Sequence, residues 1–219
     1  MIVPDPQSGE EYQDKSVSVM ERVCVVSVVI PIRNEAAFIS ATLDGLVSQH
    51  YPPNAYEIVV VDGESTDRTR EIVDSYVDRF SMVKLARNPR RLSSSARNIG
   101  IKASRGDLVL IVDGHCEITN KNYISDLVES FDHSQADCVG RPQPLTVTDG
   151  TTLQWAIAAA RSAKIGHHPK SFIYSAKEQF VPAHSVAVAY RREVFEKVGY
   201  FDERFDACED GEFNHRIDH

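Results

Sequence analysis

Short, nearly uniform apolar runs alternate along this chain with stretches whose apolar positions recur every three or four residues. The first run, VCVVSVVIPI over 23–32, is β-branched and almost wholly apolar, the pattern of a strand covered on both faces. YEIVVVDG (56–63) and DLVLIVDG (107–114) repeat it, and MVKLA (82–86) and ADCVG (136–140) are shorter versions. Helical periodicity fills the gaps. In NEAAFISATLDGLVSQ (34–49), Phe38, Ile39, Leu43, Leu46 and Val47 share a face. In STDRTREIVDSYVDRF (65–80), Ile72, Val73, Tyr76, Val77 and Phe80 do so behind a Ser/Thr/Asp cap. SSSARNIGIKAS (93–104) predicts a helix weakened by Gly100, and NYISDLVESFDH (122–133) predicts another.

This alternation of buried strands and helices predicts an α/β fold: a Rossmann-like, mainly parallel sheet flanked by helices on both faces. Ligands in such sheets bind at the carboxyl ends of the strands. The three long strands end on Arg33-Asn34-Glu35, Asp62-Gly63 and Asp113-Gly114-His115. Beyond residue 141 the pattern is less regular. TTLQWAIAAARSAKIG (151–166) predicts an amphipathic helix and 167–185 a loop over the site. A strand, a short helix and a turn follow over 186–205, and the acid-led CEDGEFNHRIDH (208–219) predicts a last helix. The polar, proline-containing residues 1–22 predict a flexible N-terminal arm.

Composition is that of an ordinary globular domain: 219 residues, 42% hydrophobic and 26% charged. A net charge of −8 argues against a nucleic-acid partner, although a local basic cluster or a metal can still attract an anion. Cys24, Cys116, Cys138 and Cys208 are scattered without a CxxC pair, which predicts reduced thiols rather than a zinc site or a disulfide framework. Cys24 and Cys138 lie in apolar runs and are expected in the core. No window approaches the ~18 uninterrupted apolar residues of a membrane span, and the N-terminus does not read as a signal peptide.

Several polar residues carry candidate chemistry beside a plainer structural role. Asp62 can accept from a nucleobase N–H such as uracil N3–H, or cap the helix that follows. Glu35 is a ligand candidate or a first-turn acid. Arg90, Arg91 and Arg97 offer forks for a diphosphate, or form a solvated basic loop. Glu209 and Asp210 can supply a general base, or stabilise a helix N-terminus. His184 and Trp155 are candidates for an acceptor groove, and the His167-His168 pair invites a metal reading but suits a surface loop. A dinucleotide enzyme would need G-x-G-x-x-G after the first strand, and IPIRNEAA has no glycine.

The segments SVVIPIRNEAAFISATLDGLVSQ, EIVVVDGESTDRT, SSSARNIGIKASRGDLVLIVDGH, YRREVFEKVGYFDERF and CEDGEFNHRI, in this order, resemble the family 2 glycosyltransferases of GT-A fold. Within them the chain is similar to the succinoglycan-type glucosyltransferases of bacterial exopolysaccharide synthesis. The resemblance implies a single GT-A domain over 23–219, with a nucleotide-binding half at 23–140 and an acceptor half at 141–219. It implies that Pro31, Arg33 and Glu35 wrap the base and ribose, that Asp62 binds the uracil and that Arg97 binds the diphosphate. Asp113 and Gly114 would reach the ribose and metal side. His115 stands where the family's second acid ligates Mg²⁺ or Mn²⁺, and an imidazole suits Mn²⁺ better. Asp210 would be the general base, supported by Glu209, in an inverting transfer from a UDP-sugar to a saccharide or lipid-linked saccharide hydroxyl. Family members continue with further helices, often membrane-associated. The chain is therefore expected to be C-terminally truncated, cytoplasmic and peripherally attached to the inner face of a membrane. The alternative is a non-catalytic nucleotide-sugar-binding domain or an inactive fragment.

Overall fold

The computed structural model describes residues 23–141, 147, 150–163, 172, 175 and 177–219. The expected arm at 1–22 and the His167-His168 pair lie outside these. The first three strands are β1 (Val26–Ile32), β2 (Tyr56–Asp62) and β3 (Val83–Arg87), followed by β4 (Leu108–Ile111), β5 (Cys138–Gly140) and β6 (Ala187–Arg191). They form one sheet in the order β3-β2-β1-β4-β6-β5. β1 pairs in parallel with β2 and β4, and β2 with β3. β6 alone runs antiparallel, between β4 and β5. The expected mainly parallel α/β sheet is borne out.

Helices α1 (Ile39–Val47), α2 (Thr69–Arg79) and α4 (Tyr123–Ser134) cover one face, and α3 (Ser93–Ala103), α7 (Arg192–Val198) and α8 (Glu209–Ile217) the other. Alternation along the strands explains why both faces are apolar. Val28, Ile30, Ile58, Val60 and Leu110 pack with Leu43, Val73 and Phe131. Val29 and Val109 point the other way, to Ile101, Phe195 and Phe213. Gly100, which weakens α3 by propensity, is the point where that helix meets the sheet: a Cβ there would collide with the Val29 side chain. Arg192 and Arg191 reach one layer each. Arg192 donates to the Ile101 carbonyl at the end of α3 and Arg191 to the Phe131 carbonyl in α4.

Two expectations about helix starts are corrected. The periodicity places helices from 34 and 65, but α1 and α2 begin at Ile39 and Thr69. Residues 34–36 and 65–67 are instead occupied in bonding one another across the two loops. α5 (Thr152–Ser162) opens with a capping box between Thr151 and Gln154, yet of its residues only Ala158 is buried. Trp155 is 51% exposed. The four-residue α6 (Ala183–Val186) leads into β6. Cys24 and Cys138 are half-buried against the core, and none of the four cysteines forms a disulfide among the described residues. No helix among the described residues is long and apolar enough to cross a membrane.

Candidate active site

The strand order reverses between β1 and β4, and a crevice opens beyond their carboxyl ends, where such sheets bind ligands. A cleft of about 210 Å³ lies there. Its wall contains Pro31, Arg33 and Glu35 from the loop after β1, and Asp113, Gly114 and His115 from the loop after β4. Ser93 and Ala96 of α3, whose first-turn N–H groups lack a side-chain cap, complete one side. Gly114 is needed for this closeness, since a Cβ would stand 2.7 Å from Ile32 Cγ2 and 3.1 Å from Glu35 Cγ. Its carbonyl is held by the Thr42 hydroxyl at 2.9 Å.

The first wall is pre-organised by a network between the loops after β1 and β2. Asn34 takes a left-handed conformation, φ 57°. Its N–H donates to Ser65 Oγ at 2.9 Å, and its Oδ1 accepts from the Thr66 N–H at 2.8 Å. The Glu35 N–H donates to Thr69 Oγ1 at 2.8 Å and that of Ala36 to Asp67 at 3.2 Å. Asp67 also accepts from the Thr69 hydroxyl, the main reason its carboxyl is held below the usual range. Buried Asp62 accepts from the Ser65 hydroxyl at 2.6 Å and the Ser65 N–H at 3.1 Å. Asp62 thus shapes the turn, and Asp67 bonds the first residue of α2.

Glu35 Oε1 lies 3.2 Å from His115 Nδ1, with Asp113 exposed beside them. The Asp113 carboxylate and the His115 imidazole, at one rim, are suitable donors for Mn²⁺. Among the described residues no three His, Cys, Asp or Glu side chains form a ready-made cage.

Most of the basic loop is tied up in ion pairs, although Arg91 also lines the cleft. Glu64 pairs with Arg87 and Arg91, at 2.5 Å each, and the hydrogen bonds from Arg87 and then Arg91 hold its carboxyl below the usual range. Arg90 pairs with Glu203. Arg97 is not in the cleft wall; it is buried against Glu209. At the start of α8, Glu209 points inward and is buried, while Asp210 is exposed and accepts from the Gly211 N–H at 2.8 Å.

Sequence reasoning missed Asn98 and Glu203. Asn98 is buried in the middle of α3, bonded to Phe201 and Glu203. An asparagine inside a helix, where it competes poorly, was the available signal. His184 pairs with Asp218 at 2.5 Å. Burial pushes the Asp218 carboxyl up, but the bonds from His184 and two backbone N–H groups outweigh it and hold it low.

Residues 27–199 match the family model described as Glycosyl transferase family 2. The chain is 31% identical over 192 residues to the succinoglycan biosynthesis protein ExoA of Rhizobium meliloti, a match covering 87% of this chain and 57% of that protein. It is 34% identical over 128 residues to the glycosyltransferase AglE of Haloferax volcanii, covering 58% of this chain and 42% of that one. It thus spans about half the length of these curated relatives. Staphylococcus aureus TarS in complex with UDP shares the fold with a TM-score of 0.62 at 24% identity, over 87% of this chain and 54% of that one. The mannosyltransferase PcManGT of Pyrobaculum calidifontis, in complex with GDP-Man and Mn²⁺, gives 0.61 at 23%, over 88% and 50%.

Proposed function

Because this chain belongs to the family 2 glycosyl transferases, we propose that it moves a sugar from a UDP-sugar to an acceptor hydroxyl with inversion at the anomeric carbon. The observation that carries this reading is the cleft at the β1–β4 switch point, where Pro31, Arg33, Glu35, Asp113, Gly114 and His115 meet. In this reading the 23–140 half binds the nucleotide and the 141–219 half faces the acceptor, a saccharide or lipid-linked saccharide.

Pro31, Arg33 and Glu35 border the base and ribose. Asp62 accepts from Ser65 mainly through Oδ1 and, at 3.4 Å from the Ser65 N–H, through Oδ2, whose remaining lone pair would meet the uracil N3–H. Asp113 and His115 would hold Mn²⁺ or Mg²⁺, which when bound offsets charge on the leaving diphosphate. Asp210 is the general base. It takes the proton of the acceptor hydroxyl as that oxygen bonds the anomeric carbon and the bond to the diphosphate breaks. Its exposure and its place at the start of α8 support the role, since a base must reach a hydroxyl arriving from solvent. A cytoplasmic protein meeting the inner face of a membrane fits a lipid-linked acceptor.

Release of the nucleoside diphosphate (UDP or GDP) with Mn²⁺, over a panel of UDP-glucose, UDP-galactose, UDP-N-acetylglucosamine and GDP-mannose, tests the proposal in the full-length protein. Release from a UDP-sugar supports it. Tight UDP binding without transfer or hydrolysis of any donor would favour the non-catalytic alternative.

A further inference from the structure

Two consecutive side chains of α3 tie the helix carrying Asp210 to the helix beside the cleft. Arg97 Nη1 lies 3.3 Å from Glu209 Oε1, the two side chains being 11% and 8% exposed. The same guanidinium sits over the Phe201 ring, 5.3 Å from its centroid, and its Nε is a buried donor without a hydrogen-bond partner among the described residues. Asn98 holds the same segment. Its Oδ1 accepts from the Phe201 N–H at 3.0 Å, and its Nδ2 donates to the Phe201 carbonyl and to Glu203 Oε1, each at 2.9 Å. Glu203 returns to Arg90, and the Ser94 hydroxyl donates to the Phe205 carbonyl at 3.5 Å.

Burying a charge pair is costly and gains little over an apolar pair of the same shape, and an orphaned N–H adds to that cost. The arrangement is therefore a poor way to add stability and a good way to fix geometry. Neighbouring side chains diverge by about 100° around a helix. With Glu209 pinned inward, Asp210 is directed outward.

We infer that Arg97 and Asn98 are positioning residues for sugar transfer. They hold residues 201–209 and the first turn of α8, and so set where Asp210 stands relative to the cleft, and Arg97 does this without touching the nucleotide. The inference rests on Asp210 being the base.

The test uses the full-length protein with Mn²⁺, with UDP as the binding probe and UDP-sugars as donors. Arg97→Gln is expected to leave the Kd for UDP within about twofold, the scatter of a site that has lost no charge-assisted contact. Amide hydrogen exchange over 208–212 is expected to accelerate. Donor KM is expected to hold while kcat falls about a hundredfold, the scale of a misplacement of about 1 Å. Asn98→Ala is expected to act in the same direction. A loss of UDP affinity of about tenfold or more overturns the inference, because that is the worth of a direct diphosphate contact. Unchanged exchange over 208–212 overturns it as well. Should Arg97→Gln fail to fold, the Arg97→Gln/Glu209→Gln double variant leaves no unpaired buried charge. It is expected to bind UDP normally with the same loss of kcat, and full activity in it overturns the inference. Asp210→Asn is measured alongside. Turnover surviving there removes the base assignment, an outcome separate from the binding and exchange readings that decide the role of Arg97.

Discussion

Glu35 Oε1 lies 3.2 Å from Nδ1 of His115, and this contact joins the loop after β1 to the loop after β4 across the crevice. Phe38 steadies the imidazole edge-on, with ring centroids 6.5 Å apart. A carboxylate on Nδ1 leaves Nε2 as the free nitrogen, the orientation in which a histidine ligates metal with an acid behind it. Glu35→Gln is expected to weaken Mn²⁺ binding to the UDP-bound protein about 10–100-fold. Electron paramagnetic resonance titration of Mn²⁺ checks this, and equal affinity in both proteins would show that Glu35 does not support a metal-bound imidazole.

Replacing the imidazole by an acid tests the same site from the other side. His115→Asp supplies an oxygen donor, which a small hard cation prefers. The ratio of UDP-sugar turnover with Mg²⁺ to that with Mn²⁺ is expected to rise. An unchanged ratio would mean that residue 115 does not choose the metal.

Asp210→Asn removes the proposed base while keeping its size. Turnover is expected to drop by about 10²–10⁴, the range general-base catalysis supplies. The Kd for UDP by calorimetry should stay within about twofold, as Asp210 is exposed outside the cleft wall. A parallel fall in UDP affinity would place Asp210 on the donor rather than the acceptor.

The sheet was legible because β1 and β2 are apolar on both faces, a pattern few other folds tolerate. The cleft residues were legible because they end strands. Pairings made at long range were not. Nothing local says that Arg90 meets Glu203, 113 positions away, or that Arg97 turns to Glu209. Helix starts were misjudged for a related reason. Periodicity extends back through 34–36 and 65–67, but hydrogen bonds between the two loops, such as Asn34 to Ser65 and Thr66, keep those residues out of the helices. The reversal of β6 was hidden too, since an apolar run carries no direction.

Asp62→Asn separates base recognition from turn formation. Its amide oxygen can still accept from Ser65, as Asp62 Oδ1 does at 2.6 Å. Its Nδ2 would face the base as a donor, matching the N3 acceptor of cytosine and opposing the N3–H of uracil. Preference for UDP over CDP in competition binding is expected to shrink by about tenfold or more, the cost of a mismatched buried hydrogen bond. An unaltered preference would take Asp62 out of base recognition.

At the opposite, amino-terminal end of β2, Glu57 carries a stability switch independent of the site. Its side chain is 2% exposed and accepts from Ser27 Oγ at 2.7 Å, from Lys84 Nζ at 2.7 Å and from the Arg105 N–H at 2.6 Å. Burial pushes its carboxyl up, but these three donors outweigh it and hold the group below 4.5. A depressed value means that the native state favours the charged form. The stabilisation is complete above 4.5 and is lost as pH falls through the lower native value. Glu57→Gln keeps one acceptor oxygen and loses the charge. It is expected to cost about 1–3 kcal/mol at neutral pH, or about 2–4 °C in Tm for each kcal/mol in a chain of this size. Thermal melts from pH 7 downward should show the gap between the two proteins narrowing below 4.5, because the native carboxylate is then being neutralised. A gap that stays constant into the acid range would show that Glu57 is not held charged by its partners.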